Sequence, residues 1–272
     1  FDLTGATALY NGDITVNKSA GQVNLLSALT MDAASQDLTL IEGTFDLNGS
    51  ALTVNGTSGT LVVQDGGNLQ LQGGEAITAN VSNPQLQSGS TVTYDGTSGP
   101  YTVKDYTYSN LTINGSGATF NLPGTKSVNN LTITAGTLDV TAAPYNINVA
   151  GNWSNTGIFT ARTGTVAFNG TNQTITGSTA FNNLTKTEST NDSTDAILTF
   201  DNTATQTISG LLTFDGLDDN DRINLVSDSP GTQWSLTANG TFAIDYVDVR
   251  DSDASGGLTI VHTNSVSSGN NL

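Results

Sequence analysis

The chain has 272 residues, only 11% of them charged and 36% hydrophobic, and its 24 acidic against 7 basic side chains give a formal net charge of −17. A surface so poor in Lys and Arg cannot neutralise many phosphates, which argues against nucleic acid and anionic membrane as partners. Without cysteine there is neither a disulfide framework nor a thiolate metal site, and no run approaches the roughly 18 to 20 apolar residues of a membrane-spanning helix.

The polarity comes from Thr, Ser, Asn and Gly rather than from the Glu, Lys and Pro of disordered tails. Val, Ile, Leu, Phe and Tyr alternate with these small polar residues throughout, the pattern of strands with one buried face. The sequence opens at Phe1 with no initiator Met and no signal-peptide pattern, which reads as a processed mature chain or an excised fragment of an exported protein.

In chain order, residues 1–36 read as N-terminal rungs. Their apolar start (Phe1, Leu3, Leu9 and Tyr10) is a candidate exchange segment. A repeat body follows over residues 37–230. Within it, Asp37-Leu38-Thr39-Leu40-Ile41-Glu42-Gly43-Thr44-Phe45-Asp46-Leu47 is echoed by Asn130-Leu131-Thr132-Ile133-Thr134-Ala135-Gly136-Thr137-Leu138-Asp139-Val140, at an offset of 131 − 38 = 93. Gly67, Leu69, Leu71, Gly73 and Ile77 then answer Gly164, Val166, Phe168, Gly170 and Ile175, mostly at 164 − 67 = 97. A short insertion between matched blocks is what solenoid turns tolerate.

Shorter echoes lie inside the long one. Asn110-Leu111-Thr112-Ile113 recurs at Asn130 to Ile133, an offset of 130 − 110 = 20, close to one coil of a β-solenoid. Val92-Thr93-Tyr94-Asp95-Gly96-Thr97, Val166-Ala167-Phe168-Asn169-Gly170-Thr171 and Leu198-Thr199-Phe200-Asp201-Asn202-Thr203 form a set of three, and Gln173-Thr174-Ile175-Thr176-Gly177 recurs as Gln206-Thr207-Ile208-Ser209-Gly210. Those last offsets, 198 − 166 = 32 and 206 − 173 = 33, are not multiples of 20, so coil length varies. Pro100 and Pro144 fall at inferred turns. Residues 231–272, with Trp234, the run Tyr246 to Asp253, and Asn270-Asn271, read as C-terminal rungs in which strands lengthen and acidic residues gather.

These patterns predict an all-β, right-handed parallel β-helix: a single β-solenoid over residues 1–272, of roughly 20-residue coils and on the order of 13 rungs. Stacked coils align two or three apolar side chains per strand into columns, Gly and Asn supply positive-φ corners, and Asn at successive corners can form hydrogen-bonded ladders. The 93-residue echo leaves a second reading open, tandem immunoglobulin-like β-sandwiches of about 100 residues each.

With those residues in view, the chain resembles the long bacterial secreted β-helix repeat proteins. Their coils carry Gly-Thr-Val-x-Phe-Asn-Gly-Thr, Gln-Thr-Ile-x-Gly and Asn-Asn-Leu-Thr blocks, here Gly164 to Thr171, Gln173 to Gly177 and Asn182 to Thr185. Gln233-Trp234, Tyr246-Val247-Asp248-Val249 and Asn270-Asn271 are similar to the closing rungs of those arrays. The resemblance spans roughly residues 37 to 272 and implies an extracellular or cell-surface protein of adhesin, autotransporter-passenger or surface-filament type. It brings no catalytic residues with it.

Several constellations bear on chemistry. Asp218-Asp219-Asn220-Asp221-Arg222 could supply paired carboxylates for glycoside hydrolysis, but the Gly-His-Gly of β-helix polygalacturonases is missing and the sole histidine, His262, lies far along the chain, at an offset of 262 − 222 = 40. Asp251-Ser252-Asp253-Ala254-Ser255-Gly256 resembles the first half of a calcium loop, making Asp251, Asp253 and Ser255 weak candidate ligands for structural calcium, with His262 where the bidentate carboxylate belongs. Asn-x-Ser/Thr acceptors for glycosylation stand at Asn17, Asn48, Asn55, Asn80, Asn110, Asn114, Asn130, Asn152, Asn169, Asn172, Asn183, Asn191 and Asn239. The Thr-x-Thr pairs Thr91/Thr93, Thr132/Thr134 and Thr174/Thr176 bear on ice binding but keep no constant interval.

The expectation is a non-catalytic extracellular structural protein without cofactor. Its first partner is itself, in a head-to-tail homopolymer of a filament, surface layer or adhesin stalk. Contact is expected through Phe1, Leu3, Leu9 and Tyr10 at one tip and Leu258, Ile260 and Val261 at the other, since an end rung is an unpaired strand edge. The alternative is a β-helix that binds or cleaves polysaccharide, with surface glycans as its partners.

Overall fold

The computed structural model describes residues 2–3, 12–80, 84–141, 145–188 and 190–272. Phe1, Leu9, Tyr10 and the turn expected at Pro144 lie outside the described residues. The chain is all-β and folds as a parallel β-solenoid that carries about 11 turns in all. Its contacts group into two compact units, Phe1–Asn121 and Leu122–Leu272.

In the first unit, strand Leu38–Asp46 lies between Ile14–Leu25 of the preceding coil and Leu61–Val63 and Gly67–Leu71 of the following one, all parallel. Thr91–Tyr94 and Asn110–Asn121 continue the ladder. A second face stacks Leu29–Met31, Leu52–Val54 and Ile77–Ala79. The registers set like on like: Phe45 pairs with Leu69, Leu69 with Val92 and Val92 with Leu111. All four are at most 1% exposed. A strand that buries two or three side chains gains too little alone, at about 1.5–3 kcal/mol each, and stacking makes those gains continuous.

The second unit has three faces. One runs from Asn130–Asp139 through Trp153–Asn155, Asn172–Thr176, Ala196–Phe200, Ile223–Ser227 and Val247–Arg250 to Val266–Gly269. Another stacks Lys126–Val128, Ile147–Val149, Thr165–Phe168, Asn183–Thr187, Leu211–Asp215 and Thr241–Asp245. The third stacks Thr179–Phe181, Thr205–Ile208, Trp234–Ala238 and Ser252–Asp253. Leu131, Trp153, Ile175 and Phe200 form one column. Aromatic rings lock neighbouring coils: Phe200 stacks on Trp234 with centroids 3.9 Å apart, and Trp153 meets Phe181 at 5.3 Å.

Corners follow from local chemistry. Gly43 and Gly136, equivalent in the 93-residue echo, adopt φ of 87° and 80° and bend their long strands. A Cβ on Gly43 would sit 2.2 Å from the Lys18 carbonyl oxygen, so only glycine fits. The expected asparagine ladders form: the Asn130 side-chain oxygen accepts from Asn152 N at 2.7 Å, and that of Asn152 from Thr174 N at 2.8 Å. In the first unit Asp37 plays the same part for Thr60 N at 2.8 Å. Each side chain satisfies a backbone donor of the next coil where strand pairing stops.

Three expectations are corrected. Coil length varies, as the echoes implied, but most coils are longer than the roughly 20 residues expected. The register offset is 183 − 165 = 18 at its shortest and 235 − 205 = 30 at its longest, because corners take insertions freely, and about 11 turns result rather than 13. The 32-residue echo joins different faces, since Val166 pairs with Leu184 on one face while Leu198 pairs with Gln173 on another. The same strand chemistry serves any face. The C-terminal strands do not lengthen: Trp234–Ala238, Val247–Arg250 and Val266–Gly269 hold five, four and four residues. Parallel pairing between successive coils also excludes the sandwich reading, which requires antiparallel sheets.

Candidate functional site

A concavity lies on the last coil of the second unit. It measures about 670 Å³ and is lined largely by apolar side chains, among them Ile244, Val249, Leu258, Ile260, Val266 and Leu272. A smaller apolar void of about 60 Å³ beneath it, against Phe214, Trp234 and Leu236, shares Ile244, Val249 and Ile260 as lining. Strand Val266–Gly269 pairs with Val247–Arg250 on one side, and its four residues are exposed. Among the described residues no strand occupies its other side. Leu258 is 54% exposed and Val261 72%. Residues 254–272 hold no Asp, Glu, Lys or Arg, and the groove lining carries none either, while the carboxylates of Asp245, Asp248 and Asp251 bond to Asn264, Ser268 and Asn270 of this coil. Asn270 and Asn271 fasten this coil: the Asn271 amide donates to the Val249 carbonyl and accepts from Ser252 N, while Asn270 donates to Asp251 at 2.7 Å.

Of the residues expected at the assembly tips, Leu258 and Ile260 line this groove, and Val261 is exposed to solvent. Leu3 sits half-buried in the short strand Asp2–Leu3, paired with Leu25.

The calcium candidates are spent on turns. Asp251 accepts from Gly231 N and Asn270, and Asp253 from Ser255 N and Oγ, contacts that hold both carboxyls below their ordinary range. Among the described residues no three acidic or histidine side chains converge as a metal site. The Asp218 to Arg222 stretch is a tight turn, with Leu217 N bonded to the Asp221 carbonyl. Asp219 pairs with Arg222, whose other nitrogen donates to the Asn264 carbonyl, while Asp221 is fully buried and accepts Thr194 N at 3.0 Å. The three carboxyls serve separate structural ends. His262 is exposed on the groove rim.

Among the sequons, Asn17, Asn48, Asn55, Asn80, Asn114, Asn152, Asn169, Asn172, Asn191 and Asn239 are exposed. Asn110, Asn130 and Asn183 are half-buried at coil corners, with the Asn110 amide given to the carbonyls of Gly89 and Ser90. The Thr-x-Thr pairs form no hydroxyl lattice. Thr93 is buried against Asn68, and the column of Thr174 continues through Thr199 to Val226.

Sequence reasoning missed the buried charges. Lys186 is 1% exposed, inward in the Asn183–Thr187 strand, and donates to the Gly170 carbonyl at 2.6 Å and to Gln173 Oε1 at 3.1 Å. Burial lowers its pKa to about 8. Asp46 is 6% exposed, and both it and Asp95 are raised above the usual carboxylate range, chiefly by burial. The signal was the strict in-out alternation of each strand, which puts Lys186 in phase with Leu184.

No protein-family model matches the chain, and no curated protein or solved structure is significantly similar to it.

Proposed function

We propose that this chain is a non-catalytic extracellular structural protein, a surface-filament, surface-layer or adhesin-stalk element that associates with further copies of itself through the outer coils of its solenoid. The observation that carries this reading is the last coil, where the open edge of Val266–Gly269 adjoins the 670 Å³ apolar groove. Exposed strand edges add strands, and an apolar groove with no charged side chain in its lining lowers the repulsion between two acidic chains. Elsewhere polar side chains are spent on the neighbouring coil, as in the Asn130 and Asn152 ladder, which suits an inert scaffold. The head-to-tail arrangement and the bacterial adhesin-type relationship belong to the same proposal. Sedimentation velocity and negative-stain microscopy of the purified chain test it. Assemblies that Val266→Lys disperses, with the circular-dichroism β signal kept, support it; a chain that stays monomeric at high concentration refutes it.

A further inference from the structure

We propose that Asp46 and Asp95, with Glu75 beside them, form a proton-responsive pair that tightens the first unit as pH falls. The carboxylates come from neighbouring coils, and Asp46 and Asp95 share a neutral donor. Gln70 Nε2 lies 3.3 Å from Asp46 Oδ2 and 2.7 Å from Asp95 Oδ2, so one amide serves two anions. Gln22 adds a second contact to Asp46 Oδ2 at 3.1 Å, and Asn48 N donates to Asp46 Oδ1 at 2.7 Å. Asp95 Oδ1 is buried with no hydrogen-bond partner. Glu75, 2% exposed, accepts from the main-chain N–H groups of Gly49, Gln72 and Gly73.

Among the described residues, none of these carboxylates is held in an ion pair. Lys104 gives its Nζ to the Glu75 main-chain oxygen at 2.7 Å rather than to a carboxylate. Strand Ile14–Leu25 presents the amides of Gln22 and Asn24, with Asn24 bonded to Asp2, and its Lys18 stands at the Gly21 bend. Strand Leu38–Asp46 adds only Glu42, which is exposed. Gly67–Leu71 and Asn110–Asn121 contain no titratable side chain. Thr91–Tyr94 adds Tyr94, whose hydroxyl bonds Tyr108 and Lys104 N, and Tyr106 lies beyond.

Burial and mutual repulsion disfavour the charged forms of Asp46 and Asp95, and a proton on Asp95 Oδ1 costs no hydrogen bond. A carboxyl whose folded pKa is raised contributes stability that is fully present below the ordinary value of 3.8 and is lost as pH rises through the folded value. The first unit therefore firms as pH falls from 7 toward 4.

Thermal unfolding of the full chain at pH 7 and pH 5 tests this. The first unit holds five of the seven tyrosines and no tryptophan, while Trp153 and Trp234 report on the second unit. Asp95→Asn keeps an acceptor for Gln70 and removes one charge; Asp32→Asn removes one exposed charge elsewhere in the same unit. The tyrosine-reported midpoint of the wild type and of Asp32→Asn is expected to rise on the order of 3 °C at pH 5. Asp95→Asn should start higher at pH 7 and lose most of that rise. Equal responses in the two variants, or a wild-type midpoint that falls on acidification, overturn the proposal.

Discussion

Asp46 and Asp139 stand at equivalent places in the two units, at an offset of 139 − 46 = 93, each closing a long strand bent at a glycine of positive φ. Their local geometry agrees: Asp46 Oδ1 accepts Asn48 N at 2.7 Å, and Asp139 Oδ1 accepts Thr141 N at 2.8 Å. Their surroundings do not. Arg162 from the next coil grips Asp139 with two nitrogens, at 3.0 and 2.7 Å, and holds its carboxyl below the usual range. In the first unit that place belongs to Gln70, and Asp46 is pushed up instead. One backbone design thus accepts opposite solutions for a buried carboxylate, because coil geometry is fixed by apolar columns and corner residues rather than by charge.

The contrast extends across each unit. Asp46, Asp95, Tyr94, Tyr106 and Tyr108 in the first are all shifted upward, with burial the leading cause, Tyr94 well above its ordinary value and Tyr106 to about 12. In the second, Asp139, Asp201 and Lys186 are shifted downward, the first two by hydrogen bonds and the lysine by burial. Neutral donors and like charges dominate one interior, while an arginine, turn amides and buried ammonium groups mark the other.

If the columns rather than the charges carry the fold, truncating them must hurt both units alike. Phe45→Ala and Leu138→Ala, at matched positions, should cost about 3–5 and about 2–5 kcal/mol respectively in urea unfolding. Near-neutral behaviour in either would break the equivalence. A smaller effect follows from Lys186. Its pKa falls from 10.5 to about 8 in the fold, so its contribution is fully present above 10.5 and is lost as pH falls through 8. The tryptophan-reported stability of the second unit should therefore rise between pH 8 and 10, and Lys186→Met should flatten that rise. The smallest change is expected from Arg162→Met, since the guanidinium is half exposed. It should move the Asp139 carboxyl resonance titration upward, toward that of Asp46, with little change in melting.

The coil was legible in the sequence because solenoid packing writes itself locally. Leu38, Leu40, Phe45 and Leu47 alternate inward, Gly43 marks the bend, and Asn130 marks a corner. Coil length was not legible, because strands such as Thr165–Phe168 and Ala196–Phe200 carry the same chemistry on different faces, and corners such as 216–222 add residues without disturbing register. Leu258 and Ile260 could be named for the last coil from their position and apolarity. The alternation pointed Lys186 inward, but the partners of Asp95 and Lys186 were not legible, because they come from other strands, Gln70 at 25 positions and Gln173 at 13.

Residue-resolved amide hydrogen exchange of the intact chain at pH 7 and pH 4.5, corrected for intrinsic rates, tests the contrast between the units most directly. Protection in Leu38–Asp46, Gly67–Leu71 and Thr91–Tyr94 should grow several-fold on acidification, while Asn130–Asp139 and Asn172–Thr176 stay level, because the downward-shifted carboxylates of the second unit release their stability only below 3.8. Equal gains in both units, or a loss confined to the first, would contradict the account.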